Sequence, residues 1–386
     1  MTSADKWALA AAMVCITIFA TVGSLILPVL TLNLEARGES STLIGLFGAI
    51  LGLTAMAAAP FAPKLVRRVG AKRALCGLLL IIAVADLSYK PFEHSLTAWF
   101  VIYAIASSAV GLIFVIAETV IVTLAPPSRR GLLLGVYTTG FSFGFAAGPV
   151  ILRFTGIDGW APFIIAAGLA IAAAGVVSMA KIKTVPVEPG GRFFRMAKYA
   201  PLPFACAFAL GAAEMSVYDL LPVYARKIGF NTDAAVGFLM VFSIGTLLMQ
   251  PLIGVAADRF NSLRMLAFAA ILGIAGALAL PYLAAEGEGM VLRFILIGIW
   301  GGCLMAVYPL GLAQAARVFP THSLAAANAL FGFSYGAGAL CGPILTGAAM
   351  DITPGGIAFT LALFSTLPLL VMSRSCWRNP VKGGWS

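Results

Sequence analysis

Glu118, Glu214, Asp219 and Asp86 each stand inside a long apolar run of the 386-residue chain. A charged side chain at mid-bilayer costs about 2.5 to 3.5 kcal/mol on insertion scales, so carboxylates kept there point to proton exchange, cation binding or a buried ion pair. Glu118 lies eight residues before Pro126, roughly 12 Å inside a helix end at 1.5 Å per residue. A short carboxylate does not reach water from that depth, so Glu118 reads as a proton- or substrate-binding group. An ion pair with Arg130 is the structural alternative. Glu214 is thirteen residues in from Pro201, about 20 Å by the same rise, and Tyr218 follows one turn later on the same face. That pair suits a second protonatable site or a cation-binding carboxylate beside an aromatic ring. Asp219 is nearer the outer surface and close to Arg226, so a rim ion pair competes with substrate contact. Asp86 has Lys90 at i+4, the spacing of a structural pair on one helix face. No Lys or Arg lies deep within an apolar run, which favours a cationic or neutral ligand over an organic anion.

Other chemistries lack their residues. No G-x-S-x-G elbow, nucleotide-binding loop or metal cluster is visible, so an enzyme and direct ATP use are both disfavoured. Five cysteines (Cys15, Cys76, Cys206, Cys303 and Cys341) fall inside apolar runs and Cys376 in the tail, without C-x-x-C spacing. Structural disulfides and a cysteine metal site are therefore not expected. His94 and His322 read as loop residues. Met215, Met240 and Met249 show no spacing for a soft-metal path. No cofactor is expected, and a proton gradient is the expected energy source.

The elements that must position the acids follow from composition. The chain is 61% hydrophobic and 10% charged with a mean hydropathy of +1.00, against about 25% charged in soluble domains. Spanning a hydrocarbon core takes roughly 20 apolar residues per helix. Twelve such stretches are predicted, at 7–32, 41–62, 74–92, 98–124, 131–154, 161–180, 201–224, 234–256, 263–283, 291–316, 323–348 and 357–373. The first is too long for a signal-peptide core and reads as a retained helix. The expected fold is an all-α integral membrane protein.

Net charge is +10, which in a soluble protein would raise nucleic acid as a partner. With the N-terminus inside, the segments at Lys6, Lys64 to Arg73, Arg129 and Arg130, Lys181 to Lys198, Arg259 and Arg264, Arg317, and Arg374 to Lys382 hold 19 of the 25 basic residues. Arg37, Lys90, Arg153, Arg226, Lys227 and Arg293 fall on the other side. This is the positive-inside pattern, which accounts for the charge without nucleic acid and places both termini in the cytoplasm. The polar stretch "KIKTVPVEPGGRFFRMAKYAP" interrupts the chain after the sixth span. It divides residues 1–180 from 201–386, with 181–200 as a cytoplasmic linker. "GFSFG" at 140–144 reappears as "GFSYG" at 332–336, and G-x-x-x-G-P occurs at 144–149 and 338–343, as expected of a duplicated six-helix unit.

The loop after the second span reads "PKLVRRVGAKR" at 63–73, and its counterpart reads "GVAADRFNSLR" at 254–264. With twelve helices, a basic linker and the glycine pattern of the fifth span, these resemble the G-x-x-x-D-R-x-G-R-R loops of the Major Facilitator Superfamily of secondary transporters. "IAETVIVTLAPPSRRGLLLGVY" and "LLMQPLIGVAADRF" look like the small bacterial branch typified by YcaD. Gly254, Asp258 and Arg259 match the loop motif in the second half, while Asn261 replaces a glycine. In the first half Arg68, Gly70 and Lys72 match, but Pro63 and Arg67 replace the glycine and the aspartate, which puts the usual first-half gate interaction in doubt.

The resemblance implies two pseudo-symmetric six-helix bundles around a cavity lined by spans one, four, seven and ten. On the tenth span Trp300, Tyr308 and Gln314 are then candidate ligand contacts, although lone aromatics more often pack, and Tyr308-Pro309 offers a local helix break. In the first span Thr17, Thr21 and Ser24 are expected to bond back to their own helix. Gly140, Gly144 and Gly148 form a small-residue stripe before Pro149, repeated as Gly338, Gly342 and Pro343. The G-x8-G-x3-G-P spacing from Gly135 to Pro149 resembles the family's antiporter motif, but Val150 to Arg153 stand where further glycines belong. Packing and a hinge come first, export second.

The expected function is a proton-coupled secondary transporter of a small organic cationic or neutral solute, working by alternating access, with efflux slightly favoured. The expected setting is a monomer in the bacterial cytoplasmic (inner) membrane. A facilitator or importer of a nutrient or metal cation is the alternative, with a non-transporting sensor behind it.

Overall fold

In hydrocarbon no water bonds an exposed backbone, so an apolar run crossing a membrane closes its hydrogen bonds within a helix. The computed structural model describes residues 3–126, 130–182, 194–283, 290–319 and 324–375, and every regular element among them is helical. The helices are α1 (Ser3–Ala36), α2 (Ser41–Ala58), α3 (Ala62–Val69), α4 (Ala71–Ser88), α5 (Leu96–Leu124), α6 (Arg130–Thr155), α7 (Ala161–Met179) and α8 (Phe194–Tyr199). They continue as α9 (Pro201–Lys227), α10 (Thr232–Arg259), α11 (Ser262–Leu283), α12 (Met290–Met305), α13 (Val307–Val318), α14 (Leu324–Ile352) and α15 (Gly356–Ser375). Ten stretches among the described residues are long and apolar enough to cross a membrane. The other two expected spans are also helical: α4, which carries Lys72, Arg73 and Asp86, and α6.

Two spans are broken, each at proline. A short 3-10 turn, Ala59–Phe61, joins α2 to α3 where Pro60 and Pro63 interrupt the ladder. The tenth span parts between Met305 and Val307. Pro309 has no N–H for the carbonyl four residues back, that of Met305, and its ring crowds that carbonyl.

By contact the chain forms two compact units, one of Met1–Glu39, Ile50–Pro189 and Gly229–Ser243, the other of Ser40–Ala49, Gly190–Ile228 and Ile244–Ser386. The start of α2 thus groups with the second unit and the start of α10 with the first. In the first unit α1 packs along α6 and α7, and α4 lies against α7 and α5. In the second, α9 packs along α14, α15 and α13.

The closest approaches fall at glycines. A Cβ on Gly144 would meet the Thr17 carbonyl, and one on Gly148 the Ser24 hydroxyl, so the α6 stripe lies directly on α1. Ser24 donates to the Thr21 and Gly144 carbonyls at 3.2 Å each, while Thr17 and Thr21 bond back to Met13 and Thr17 of their own helix. Gly338 and Gly342 of α14 sit in the same way against the backbone at Phe208 and Ala212 of α9. Pro149 and Pro343 lie inside α6 and α14.

The start of α2 is held by a carboxylate 310 residues away. Asp351 accepts from Ser41 N at 2.7 Å, Thr42 N at 2.9 Å and Thr42 Oγ1 at 2.6 Å. Lys227 Nζ donates to Ser41 Oγ at 2.5 Å and lies 3.4 Å from Asp351 Oδ1. A negative group therefore caps the positive end of the α2 dipole, with a lysine closing the cluster. In the first unit Arg153 Nη1 of α6 donates to the Asp233 carbonyl in the first turn of α10 at 3.2 Å.

One expected pair does not form. Lys90 Nζ bonds the Glu93 carboxylate, not Asp86, because α4 ends at Ser88 and the i+4 register stops before Lys90. The Lys90 hydrogen bond holds the half-buried Glu93 below the usual carboxylate range. Asp86 points inward, 2% exposed, with Oδ2 lacking a hydrogen-bond partner. Tyr89 and Trp99 stack edge-on at 6.0 Å, Trp99 Nε1 donates to the Tyr89 carbonyl, and the Arg37 guanidinium lies 4.2 Å over the Trp99 ring.

Candidate functional site

The second unit brings an acid and a set of aromatic rings together. Gly211 on α9 has no side chain, and the Tyr335 carbonyl of α14 occupies the place a Cβ would take. That approach lets the Tyr335 phenol reach along α9 to the next turn, where its hydroxyl donates to Glu214 Oε2 at 2.9 Å. On the other side of Tyr335, the Tyr308 ring of α13 stands edge-on at 6.1 Å and 88°. Tyr308 also meets Phe331 at 5.0 Å and 76°. The Pro309 break sets the direction of the short helix that carries Tyr308. Tyr218, one turn beyond Glu214, is 2% exposed. Glu214, Tyr308 and Tyr335 are half-buried, so this polar spot in the middle of α9 keeps accessible surface. Among the described residues no Lys, Arg or His pairs with Glu214; its hydrogen bond comes from Tyr335.

Asp219 is five residues further along α9, roughly 7.5 Å by helical rise. It is fully buried, and neither carboxylate oxygen has a hydrogen-bond partner. The ion pair with Arg226 considered from the sequence is not formed, because the side chain turns inward toward α2 instead of outward to the rim. There Gly48 leaves the room: a Cβ would fall on the Asp219 carboxylate. Beside it Thr346 Oγ1 donates to Ser216 Oγ at 2.9 Å, and Ser216 Oγ to the Ala212 carbonyl at 2.7 Å.

The remaining candidates fall in other places. Glu118 is half-buried on α5 in the first unit, and its carboxylate makes no hydrogen bond or ion pair among the described residues. The Arg130 side chain lies outside them. Trp300 is 3% exposed and turned to α11, where Nε1 donates to the Gly273 carbonyl at 3.0 Å and Gly276 makes room for the ring. Gln314 is 7% exposed and donates to Ser262 Oγ at 2.7 Å. Both are engaged by the protein itself. Arg68 is exposed at the end of α3, Gly70 links α3 to α4 with φ +82°, and Lys72 is half-buried in the first turn of α4. Arg259 is exposed at the end of α10. Gly254 and Asp258 lie on α10; the Asp258 side chain is outside the described residues, as are His322 and Cys376.

Two functional candidates escape the reading of acids and spans, Tyr335 and Asp351. The first had a signal, because "GFSYG" differs from its repeat "GFSFG" by one hydroxyl, with Tyr335 standing where Phe143 stands. Asp351 had none beyond being an acid near a span end.

Among the described residues ten helices are of membrane-spanning length, and two of them hold acids in their interior, which defines a multi-pass membrane protein. The chain belongs to the Major Facilitator Superfamily, whose profile matches residues 12–307 and, overlapping, 238–384. It is a family of transporters, not of enzymes. The MFS-type transporter YfkF of Bacillus subtilis is 25% identical over 91% of each chain. The YcaD transporter of Salmonella arizonae is 24% identical over 83% of each. Among solved structures, a mutant of the nucleoside transporter NupG superposes with a TM-score of 0.77 at 14% identity, covering 96% of this chain and 99% of that one. The D-xylose-proton symporter gives 0.73 at 15%, covering 97% and 98%. At such identities the superpositions speak for the fold.

Proposed function

We propose that this transporter couples proton movement to the passage of a small organic solute, cationic or neutral, across the bacterial cytoplasmic membrane. Residues 1–180 and 201–386 serve as its two bundles in alternating access, export is favoured over uptake, and both termini lie in the cytoplasm. The observation that carries this reading is Glu214. It is a half-buried carboxylate in the interior of a membrane helix, held by a phenol from a neighbouring helix, with no basic partner among the described residues. A group so placed exchanges a proton or a ligand with whichever side has access, which a purely structural acid satisfied by a base would not do. Glu118, on α5 of the other unit, is the second such group. Export draws support from the G-x8-G-x3-G-P spacing at Gly135 to Pro149.

Proteoliposomes with an imposed pH gradient test the reading, using ethidium, choline, uridine and xylose as probes. Glu118→Gln and Glu214→Gln are each expected to abolish gradient-driven accumulation of the transported probe, with exchange or binding surviving in at least one of them. Unchanged pH-driven transport in both variants refutes the assigned roles.

A further inference from the structure

Several polar side chains on the helices around Glu214 bond within the protein. On α9, Ser216 donates to Ala212 and accepts from Thr346. On α14, Ser334 donates to the Leu330 carbonyl at 2.8 Å. On α13, Gln314 is bonded to Ser262, and the Trp300 indole of α12 to Gly273. Tyr335 gives its proton to Glu214. Among the described residues these helices also present a half-buried carboxylate and half-buried phenol rings. Tyr335 and Tyr308 are half-buried and stand nearly perpendicular, and Phe331 closes the far side of Tyr308 at 76°.

That inventory discriminates between ligand classes. A sugar or nucleoside binds through several directed hydrogen bonds, and a site with few such partners leaves its hydroxyls unsatisfied. A hard metal ion wants about six oxygen ligands. Here one carboxylate stands with the phenols of Tyr335 and Tyr308, and the described residues hold no group of three acid, Cys or His side chains that could bind a metal. An organic ammonium ion needs neither set. Its charge is met by the carboxylate, its alkyl groups by ring faces, and the ring quadrupoles add attraction.

We infer that Glu214, Tyr335 and Tyr308 form a binding site for an organic ammonium ion, with the carboxylate as counter-ion and the two rings as walls. The inference rests on the transport reading for its biological meaning, but it is a statement about binding and is tested without a gradient.

The full-length protein in nanodiscs is titrated with choline, tetraethylammonium and ethidium, and with 3,3-dimethyl-1-butanol as the neutral isostere of choline. At least one ammonium is expected to saturate, with the neutral isostere weaker by roughly tenfold or more. Glu214→Gln, which keeps an acceptor for Tyr335, is expected to lose roughly tenfold in ammonium affinity. Tyr335→Phe and Tyr308→Leu lose a smaller factor. Thermal melting of each variant without ligand separates a lost site from a lost fold. Failure of all three ammonium ions to saturate, equal binding of choline and its isostere, or unchanged affinity in a folded Glu214→Gln overturns the inference. Ammonium binding without gradient-driven transport overturns the coupling reading and leaves the site standing. Gradient-driven movement of uridine or xylose with no ammonium binding does the reverse.

Discussion

Replacing Asp351 by alanine removes three hydrogen bonds from the first turn of α2, those from Ser41 N, Thr42 N and Thr42 Oγ1. Loss of a side-chain cap costs about 0.5 to 2 kcal/mol, and bonds to an ionised acceptor stand at the upper end of the usual range. The carboxylate is 29% exposed, so water recovers part of what is lost. The expected net cost is about 1 to 2 kcal/mol for local opening, a factor of roughly 5 to 30 in the open population. Hydrogen exchange of the nanodisc-embedded protein reads this directly, since two of the three donors are backbone amides whose protection depends on the bond. Exchange within Ser40–Ala49 should accelerate by that factor, while the interiors of α5 and α11 stay as they were. Asp351→Asn, which keeps one acceptor oxygen, should fall between the two, and Lys227→Ala should have the smallest effect. If the amides of Ser41 and Thr42 exchange at the native rate in Asp351→Ala, the carboxylate does not hold this helix start and the reasoning fails.

Three further outcomes are expected. Gly144→Leu drives a side chain into the Thr17 carbonyl and should destabilise the α1–α6 pair by at least the roughly 1 to 3 kcal/mol of overpacking, seen as a lower melting temperature; an unchanged melt would show that the helices are not in close contact. Gly48→Ala places a methyl on the Asp219 carboxylate and should be destabilising by a similar amount, with Asp219→Ala in the same chain restoring most of the loss; strict additivity of the two changes would deny the contact. Pro309→Ala restores a donor to the Met305 carbonyl, so exchange around Ala306 should slow as α12 and α13 join; equal or faster exchange would place the cause of the break elsewhere.

The membrane class and the helical runs were legible because both follow from local composition, one residue type after another within a single span. The acids were legible by the same route, since depth is counted along one helix. What they touch was not, because Glu214 meets Tyr335 across 121 residues and Ser41 meets Asp351 across 310. Asp219 shows the difference well. Arg226 is near it in sequence, but the direction of a side chain on a helix is set by packing, and the space that Gly48 leaves on α2 draws the carboxylate inward. Asp86 fails for the opposite reason, since its pairing with Lys90 assumed a helix that ends two residues too soon. Trp300 and Gln314 were singled out as polar groups in an apolar span, and each is satisfied inside the protein. Tyr335 was visible only by comparing the two halves, where one added hydroxyl sets it apart from Phe143.

The Asp351 cap also bears on how the chain is made. Ser41 and its acceptor are 310 residues apart, so at about 5 to 20 residues per second the start of α2 leaves the ribosome roughly 15 to 60 seconds before Asp351 exists. During that interval the first turn of α2 has exposed amides and no carboxylate to take them. The first turn of α2 therefore receives this cap only when the fourteenth helix arrives.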